Sequence, residues 1–307
     1  MAARKILEFQ PYFGFPSGGK PAYSRGITRR RRNPLPPDPS PIEVILLLLT
    51  IGCAGGFLSG LLGVGGGILF VPALYFAMSA LGMDSQHAMH LAVGTSLAVV
   101  FATGSISALG HHRRGAVDVT IMRSWGMFIV TGVVIGSVFA TAVNGEVLKR
   151  IFASVTFILS FYMAFGKERP KEKPGQYLTE KIQHGICVGI GMVSSMIGVG
   201  GAILTVPMMS YIGTPMTRAT GTGAALGLLI SLPGTIGYML AGLPHLQELP
   251  PYSVGYVNFA TLIFIIPASM LMAPIGVRTS HTLPHAMLRR VFAAVMLIVS
   301  VRMFMTL

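Results

Sequence analysis

Apolar runs long enough to cross hydrocarbon, which takes about 20 residues in a helix, fill most of the chain after residue 42, with short polar stretches between them. The pattern predicts spans near 43–63 continuing through a glycine-rich stretch to about 80, then 86–110, 121–143 and 148–166. A polar stretch, KERPKEKPGQYLTEK at Lys167–Lys181, interrupts them, and a second set follows at 182–212, 218–242, 254–277 and 285–306. The expected fold is an all-α integral membrane protein of about eight transmembrane helices, arranged as two tandem four-helix repeats whose first helices are broken by glycine. Its units are a tail at 1–41, a first repeat at 42–166, a linker at 167–181 and a second repeat at 182–307. The tail is rich in Pro and Arg, too polar to pack a core, and is expected to be disordered.

One phrase occurs twice. GGFLSGLLGVGGGILFVP at Gly55–Pro72 returns as GIGMVSSMIGVGGAILTVP at Gly189–Pro207, at an offset of 135 residues that sets Gly63 on Gly198. At that offset Ser59 meets Ser194, Gly65 meets Gly200, Gly66 meets Gly201 and Pro72 meets Pro207. The last spans also match, LKRIFASVTFILS from Leu148 against LRRVFAAVMLIVS from Leu288. Clustered glycines expose backbone N–H and C=O groups, and a bilayer tolerates this only where protein covers the backbone or a polar cavity receives it. Residues 43–80 are too many for one straight helix across a core of about 30 Å. Either that element bends at the glycines or the part after Gly67 is a re-entrant half-helix. Four crossings per half make the repeats parallel, and an odd number makes them inverted.

Composition narrows the class. The chain is 52% hydrophobic and 11% charged, where soluble proteins are about 25% charged, and its mean hydropathy is +0.68. Of the net charge of +13, the first forty residues contribute eight Lys and Arg against Glu8 and Asp38. A pI near 10.2 would suit nucleic acid in a soluble protein, but no basic fold interleaved with aromatics accompanies it. Basic loops at membrane edges account for the charge. With eight crossings and the tail inside, inner segments hold seventeen Lys and Arg and outer segments six. That places the N-terminus in the cytoplasm, in a multi-pass protein of the cytoplasmic (inner) membrane. Cys53 and Cys187 lie in apolar runs and indicate no disulfide framework.

The glycine phrase is not a nucleotide loop, because Ile68 occupies the last glycine position of G-x-G-x-x-G and no Walker lysine follows. Two readings fit it: close helix packing through small residues, or a packed break that faces substrate. In the second, a helix starting after the glycines presents free N–H groups and a positive dipole end at mid-membrane, an anion site. The anion-binding candidates are Ser59, Gly63, Gly65 and Gly66 in the first copy and Ser194, Gly198, Gly200 and Gly201 in the second. Hydroxyl clusters follow each copy, AVGTS at Ala92–Ser96 and ATGTG at Ala219–Gly223. They add Thr95, Ser96, Thr220 and Thr222, whose hydroxyls either donate to an anion or bond back to helix carbonyls. Arg218 either pairs with an oxyanion or snorkels to the interface.

All ten acidic residues fall in the tail, in loops or at span ends, whereas a cation pathway usually places a carboxylate at depth. His87 and His90 either take up a proton near neutral pH or hydrogen-bond at the interface. The histidines are scattered along the chain, so no metal site and no cofactor are expected, and no Ser lies near a base that would activate it as in an enzyme.

The doubled phrase with AVGTS and ATGTG resembles the sulfite exporter TauE/SafE family, anion permeases also described as the toluene-sulfonate uptake permease family. The resemblance covers about 43–306. It implies a secondary transporter of small sulfur-containing anions, such as sulfite or organosulfonates, in a bacterial cytoplasmic membrane. Its partners would be that anion and membrane lipid, and the motifs are silent on oligomeric state. Ala202 departs from the pattern where the first copy has Gly67, which would make the second break tighter. The alternatives are a membrane-embedded binding or assembly partner whose glycines only pack, and an intramembrane enzyme.

Overall fold

The apolar run after the tail does become a helix, α1 at Pro41–Leu62, but a second and separate helix, α2 at Gly67–Ala80, follows the glycines. The computed structural model describes residues 40–62, 66–80, 83, 85–165, 179–280 and 285–306. The tail that the sequence leads one to expect as disordered, most of the linker, Gly63 and Gly65 lie outside the described residues. The rest of the first half is α3 at Ser85–Arg113, α4 at Val119–Ala142 and α5 at Gly145–Phe165. The second half repeats the order: α6 at Glu180–Ile197, a short α7 at Ala202–Tyr211, α8 at Met216–Gly242, α9 at Phe259–Ser280 and α10 at His285–Met305. A 3-10 turn at Leu243–His245 and a two-stranded hairpin, Ser253–Val254 with Val257–Asn258, join α8 to α9.

Six of these helices, α1, α3, α4, α5, α8 and α9, are long and apolar enough to cross a membrane. Among the described residues, six helices by length and composition stand beside the eight crossings expected. α6 opens with Glu180, Lys181, Gln183 and His184, which shorten its apolar stretch, and α2 and α7 have only 14 and 10 residues.

Small residues bring the long helices into contact. On α1, Gly52, Gly56 and Gly60 recur every four residues and meet Ala268, Ser269 and Ala273 of α9 in the same order, so these helices run parallel. Gly132 and Gly136 of α4 meet Val188 and Met192 of α6, a second parallel pair. α3 and α8 are antiparallel, with Gly94 against Tyr238, Leu97 against Gly234 and Gly104 against Leu228. So are α5 and α10, where the buried Lys149 Nζ donates to Thr306 O at 2.8 Å and Ser300 Oγ to Ala153 O at 2.8 Å.

The short helices fold back. Gly66 lies against Ser59 and Gly55, and the Phe70 ring against Gly55, so α2 returns along α1. Near its far end, Tyr75 OH accepts from Lys149 Nζ at 3.0 Å, at the start of α5. Of the two options for residues 43–80, the re-entrant half-helix is the one observed.

This geometry overturns the parallel arrangement on which the charge count rested. That arrangement set residue 87 and the loop after residue 242 on opposite faces, yet His87 Nε2 and Glu248 Oε2 are 2.7 Å apart. Among the described residues, the face shared by Asn144 and Glu248 carries Lys149, Arg150 and Arg302. The opposite face carries Arg113, Arg114, Arg123, Lys181, Arg218, Arg278 and Arg290. Over these residues the count no longer supports a cytoplasmic N-terminus, because α1 begins on the less basic face.

Candidate functional site

Both glycine breaks use the left-handed backbone conformation at the start of the returning helix. Gly66 has φ +69° and Gly201 φ +73°, values that an L side chain reaches only at a cost of about 1–2 kcal/mol. The Gly66 carbonyl accepts from Leu69 and Phe70 N–H at 3.0 and 3.3 Å, and the Gly201 carbonyl from Leu204 and Thr205 N–H at 2.9 and 2.9 Å. Upstream, α6 ends where Gly198, φ +69°, turns its N–H back to Ser194 O.

The two breaks meet. A Cβ on Gly67 would fall 2.5 Å from Gly198 O and 2.9 Å from Val199 Cα, and one on Gly198 would fall 2.7 Å from Val71 of α2. Ser96, fully buried on α3, donates its hydroxyl to Gly198 O at 2.9 Å and lies 3.4 Å from Gly67 O. Gly200 faces Val100 of α3 and Gly227 of α8. The start of α2 thus lies against the end of α6, and Ile203 in the first turn of α7 lines the same small cavity as Gly66 and Gly67; the first N–H groups of both half-helices have no partner within the helix.

Ser59, Gly66, Ser96, Ser194, Gly198, Gly200 and Gly201 are brought together here. The other candidates are not. Thr95 is buried but accepts from Asn258 N–H at 3.1 Å, and Thr222 accepts from Asp118 N–H at 2.8 Å. Arg218 is exposed at the start of α8, nine residues from Gly227 and so about 13 Å along the axis, with Thr220 between them.

Several polar groups at the centre escaped the motif reading. Ser231 is the residue that the 135-residue offset sets on Ser96; it is buried and donates to Gly227 O at 2.8 Å. ATGTG was matched to AVGTS at a different offset, and keeping the glycine offset would have found it. Among the described residues, Ser194 Oγ, Thr205 Oγ1 and Tyr238 OH are buried with no hydrogen-bond partner, a condition that costs about 1–3 kcal/mol for each group. Ser194 and Thr205 both flank the second break: a Cβ on Gly201 would stand 3.4 Å from Ser194 Oγ, and one on Gly223 3.3 Å from Thr205 Oγ1. In the first copy the place of Thr205 is taken by Phe70.

Space is distributed unevenly. Beside Gly66 and Gly67 there is a cavity of only about 10 Å³, room for one water at most. A larger one, about 210 Å³, opens at the start of α3 among Gln86, His87, His90, Asn144, His245 and Tyr256. Its floor is made by His90, whose Nε2 lies 3.0 and 3.1 Å from Ala140 O and Val143 O and whose ring stacks on Tyr256 at 5.0 Å. Burial, then the Glu248 carboxylate, pushes the Tyr256 hydroxyl above its usual pKa. From His90 to Ser96 is six residues, about 9 Å along the helix, and Gly94 between them is packed against Tyr256 and Tyr238. His87, His245 and Glu248 gather at its mouth, which removes the ground for excluding a metal from the scatter of histidines along the chain.

Against known families, the profile described as Sulfite exporter TauE/SafE matches residues 48–303. The chain belongs to the Sulfite exporter TauE/SafE family. A probable membrane transporter protein of Haemophilus influenzae is 31% identical over 263 residues, covering 85% of this chain and 98% of that protein. One of Methanocaldococcus jannaschii is 25% identical over 259 residues, covering 81% and 91%, and YunE of Bacillus subtilis is 25% identical over 252 residues, covering 75% and 86%. No solved structure matches. As a member of the TauE/SafE family with six long apolar helices, the chain is a multi-pass membrane protein of a transporter family.

Proposed function

We propose that this protein is a secondary carrier that moves a small sulfur-containing anion, such as sulfite or an organosulfonate, across the cytoplasmic membrane and holds it at the paired glycine breaks. The observation that carries this reading is the meeting of the two breaks, the start of α2 at Gly67 against the end of α6 at Gly198, around the buried Ser96 hydroxyl, with Ile203 in the first turn of α7 lining the same small cavity as Gly67. Two positive dipole ends, each worth about half a charge, face one buried point where a negative solute has backbone N–H donors within reach. Ser59 and Ser194 supply hydroxyls, Ser96 holds the break by its bond to Gly198 O, and the unpartnered Ser194 Oγ and Thr205 Oγ1 are donors in waiting. Arg218, at the opposite face, meets the anion on its way rather than at the breaks.

Alternating access follows from the pairing of the helices. The 135-residue offset carries α1 onto α6 and α4 onto α9, so it exchanges the parallel pair α1 and α9 with the parallel pair α6 and α4. Because α1 and α6 start from opposite faces, this supports inverted repeats, the arrangement in which one half rocks against the other around a central site. The closely packed centre is the occluded arrangement, and an anion is admitted when the halves part at the contact between Gly67 and Gly198, opening toward the cavity at His90.

The assembly-partner reading draws on Gly52, Gly56 and Gly60, which only bring α1 against α9. Those glycines are a different set from the ones at the breaks, which turn the backbone. Flux of radiolabelled sulfite or a sulfonate into proteoliposomes separates the readings. A carrier gives flux that the double substitution Gly65→Leu and Gly200→Leu abolishes in protein that still purifies folded. An assembly partner gives none, and an enzyme gives product without flux.

A further inference from the structure

We propose that His87, His245 and Glu248 form a binding site for a divalent transition-metal ion of the zinc class, at the mouth of the cavity lined by Gln86, His90 and Tyr256. One ligand atom from each residue can be chosen so that all three lie within 4.8 Å of one another. His87 Nε2 is 2.7 Å from Glu248 Oε2, and His245 Nδ1 is 3.9 Å from Glu248 Oε1. Zinc bound by nitrogen and oxygen at about 2.0–2.2 Å in a tetrahedron sets its ligands about 3.3–3.6 Å apart. The two observed separations, to different oxygens of Glu248, fall on either side of that spacing, so closing the site calls for shifts of about 1 Å in the side chains.

The fold prepares the three groups. His245 ends the 3-10 turn and Glu248 follows it three residues on, with Glu248 N–H donating to His245 O at 2.9 Å; the turn therefore presents imidazole and carboxylate on one side. His87 comes from the first turn of α3 and is almost fully buried. Its other ring nitrogen, Nδ1, lies 3.4 Å from the Tyr256 hydroxyl, and the rings of His87 and His245 are 5.1 Å apart. A partner at Nδ1 that orients the ring and leaves Nε2 for the metal is the usual outer support of a histidine ligand. At 2.7 Å His87 Nε2 and Glu248 Oε2 share a hydrogen bond, whose proton a bound ion would replace as the two ligands part to its wider spacing. Two imidazoles and one carboxylate suit the borderline ions better than Ca²⁺ or Mg²⁺, and three protein ligands leave a fourth position for water or a solute from the cavity. Bound there, the ion ties the start of α3 to the turn after α8. This inference does not depend on which solute the protein carries.

The test uses tag-free, full-length protein in detergent, titrated with Zn²⁺ by calorimetry and with Co²⁺ by visible absorption. Wild-type protein should bind one Zn²⁺ per chain and give the intense visible bands of tetrahedral Co²⁺. His245→Ala and Glu248→Ala, both on the exposed turn, should each weaken Zn²⁺ binding at least about tenfold, a loss of about 1.4 kcal/mol or more. His112→Ala, exposed at the other end of α3, should leave binding unchanged. Absence of one-to-one binding, a Co²⁺ spectrum like that of the hydrated ion, indifference to both turn substitutions or an equal loss in His112→Ala would each overturn the site. Metal-free melting of the variants keeps a folding defect from passing as a binding defect, and the Co²⁺ spectrum of the unaltered chain is independent of it.

Discussion

Gly67 and Gly198, one from each half of the chain, touch through their backbones: a Cβ placed on Gly67 would stand 2.5 Å from the Gly198 carbonyl oxygen. That separation is shorter than real Cβ contacts allow, and the obstructing atom is backbone, so nothing can rotate out of the way. Gly67→Ala should therefore wedge the two breaks apart, with a cost of about 1–3 kcal/mol as for overpacking elsewhere, and transport should fall with it. Gly189→Ala is the matched control, since no atom lies within 4 Å of its would-be Cβ. It should leave flux unchanged and raise stability by about 0.5–1 kcal/mol, because Ala is the better helix residue. Melting in detergent alongside flux reads both.

Two serines at the centre should respond in opposite ways. Ser96→Ala removes the hydrogen bond to Gly198 O at 2.9 Å and should lower stability by about 1 kcal/mol. Ser194→Ala deletes a buried hydroxyl that has no partner, so the folded state should be as stable as wild type or more so. A melting temperature that falls with Ser194→Ala as far as with Ser96→Ala would show that Ser194 is bonded within the fold and is no free donor.

The close approach of His87 to Glu248 makes a prediction about sidedness. On a background without Cys53 and Cys187, cysteines at Asn144 and Ser253 should react with an impermeant maleimide from one side of the membrane. Cysteines at Arg114 and Arg218 should react from the other. A parallel arrangement of the repeats would instead put Asn144 and Ser253 on opposite sides.

Much of this was legible in the chain itself. Apolar runs located the long helices to within a few residues, since burying that much hydrophobic surface admits little else, and the glycine phrase located both breaks because no other residue adopts φ near +70° so readily. Direction was not legible. GILFVPALYFAMSA reads as a continuation of α1, and only the contacts of Gly66 with Ser59 and of Phe70 with Gly55 show that it turns back. With that one reversal α3 to α6 change sense, and Arg113, Arg114, Arg123, Lys149 and Arg150 change sides, until the second fold-back at α7 restores the sense of α8 to α10. Arg218 was judged by its neighbours in sequence, Thr220 and Thr222, although helical rise carries it away from Gly200. His87 and Glu248 are 161 residues apart, a pairing that spacing along the chain does not reveal. Ser231 was within reach, because the offset that aligns the glycines also aligns it with Ser96.

Sulfite flux into proteoliposomes reconstituted with the Ser194→Ala, Thr205→Val double variant tests the central claim most directly. Neither substitution removes a hydrogen bond of the folded protein, so the variant should melt at or above the wild-type temperature. If an anion is held at the breaks, its flux should nonetheless drop at least about tenfold, the equivalent of one charge-assisted hydrogen bond of about 1.4 kcal/mol or more. A double variant that carries sulfite at the wild-type rate, or wild-type protein that carries neither sulfite nor a sulfonate, would contradict the account.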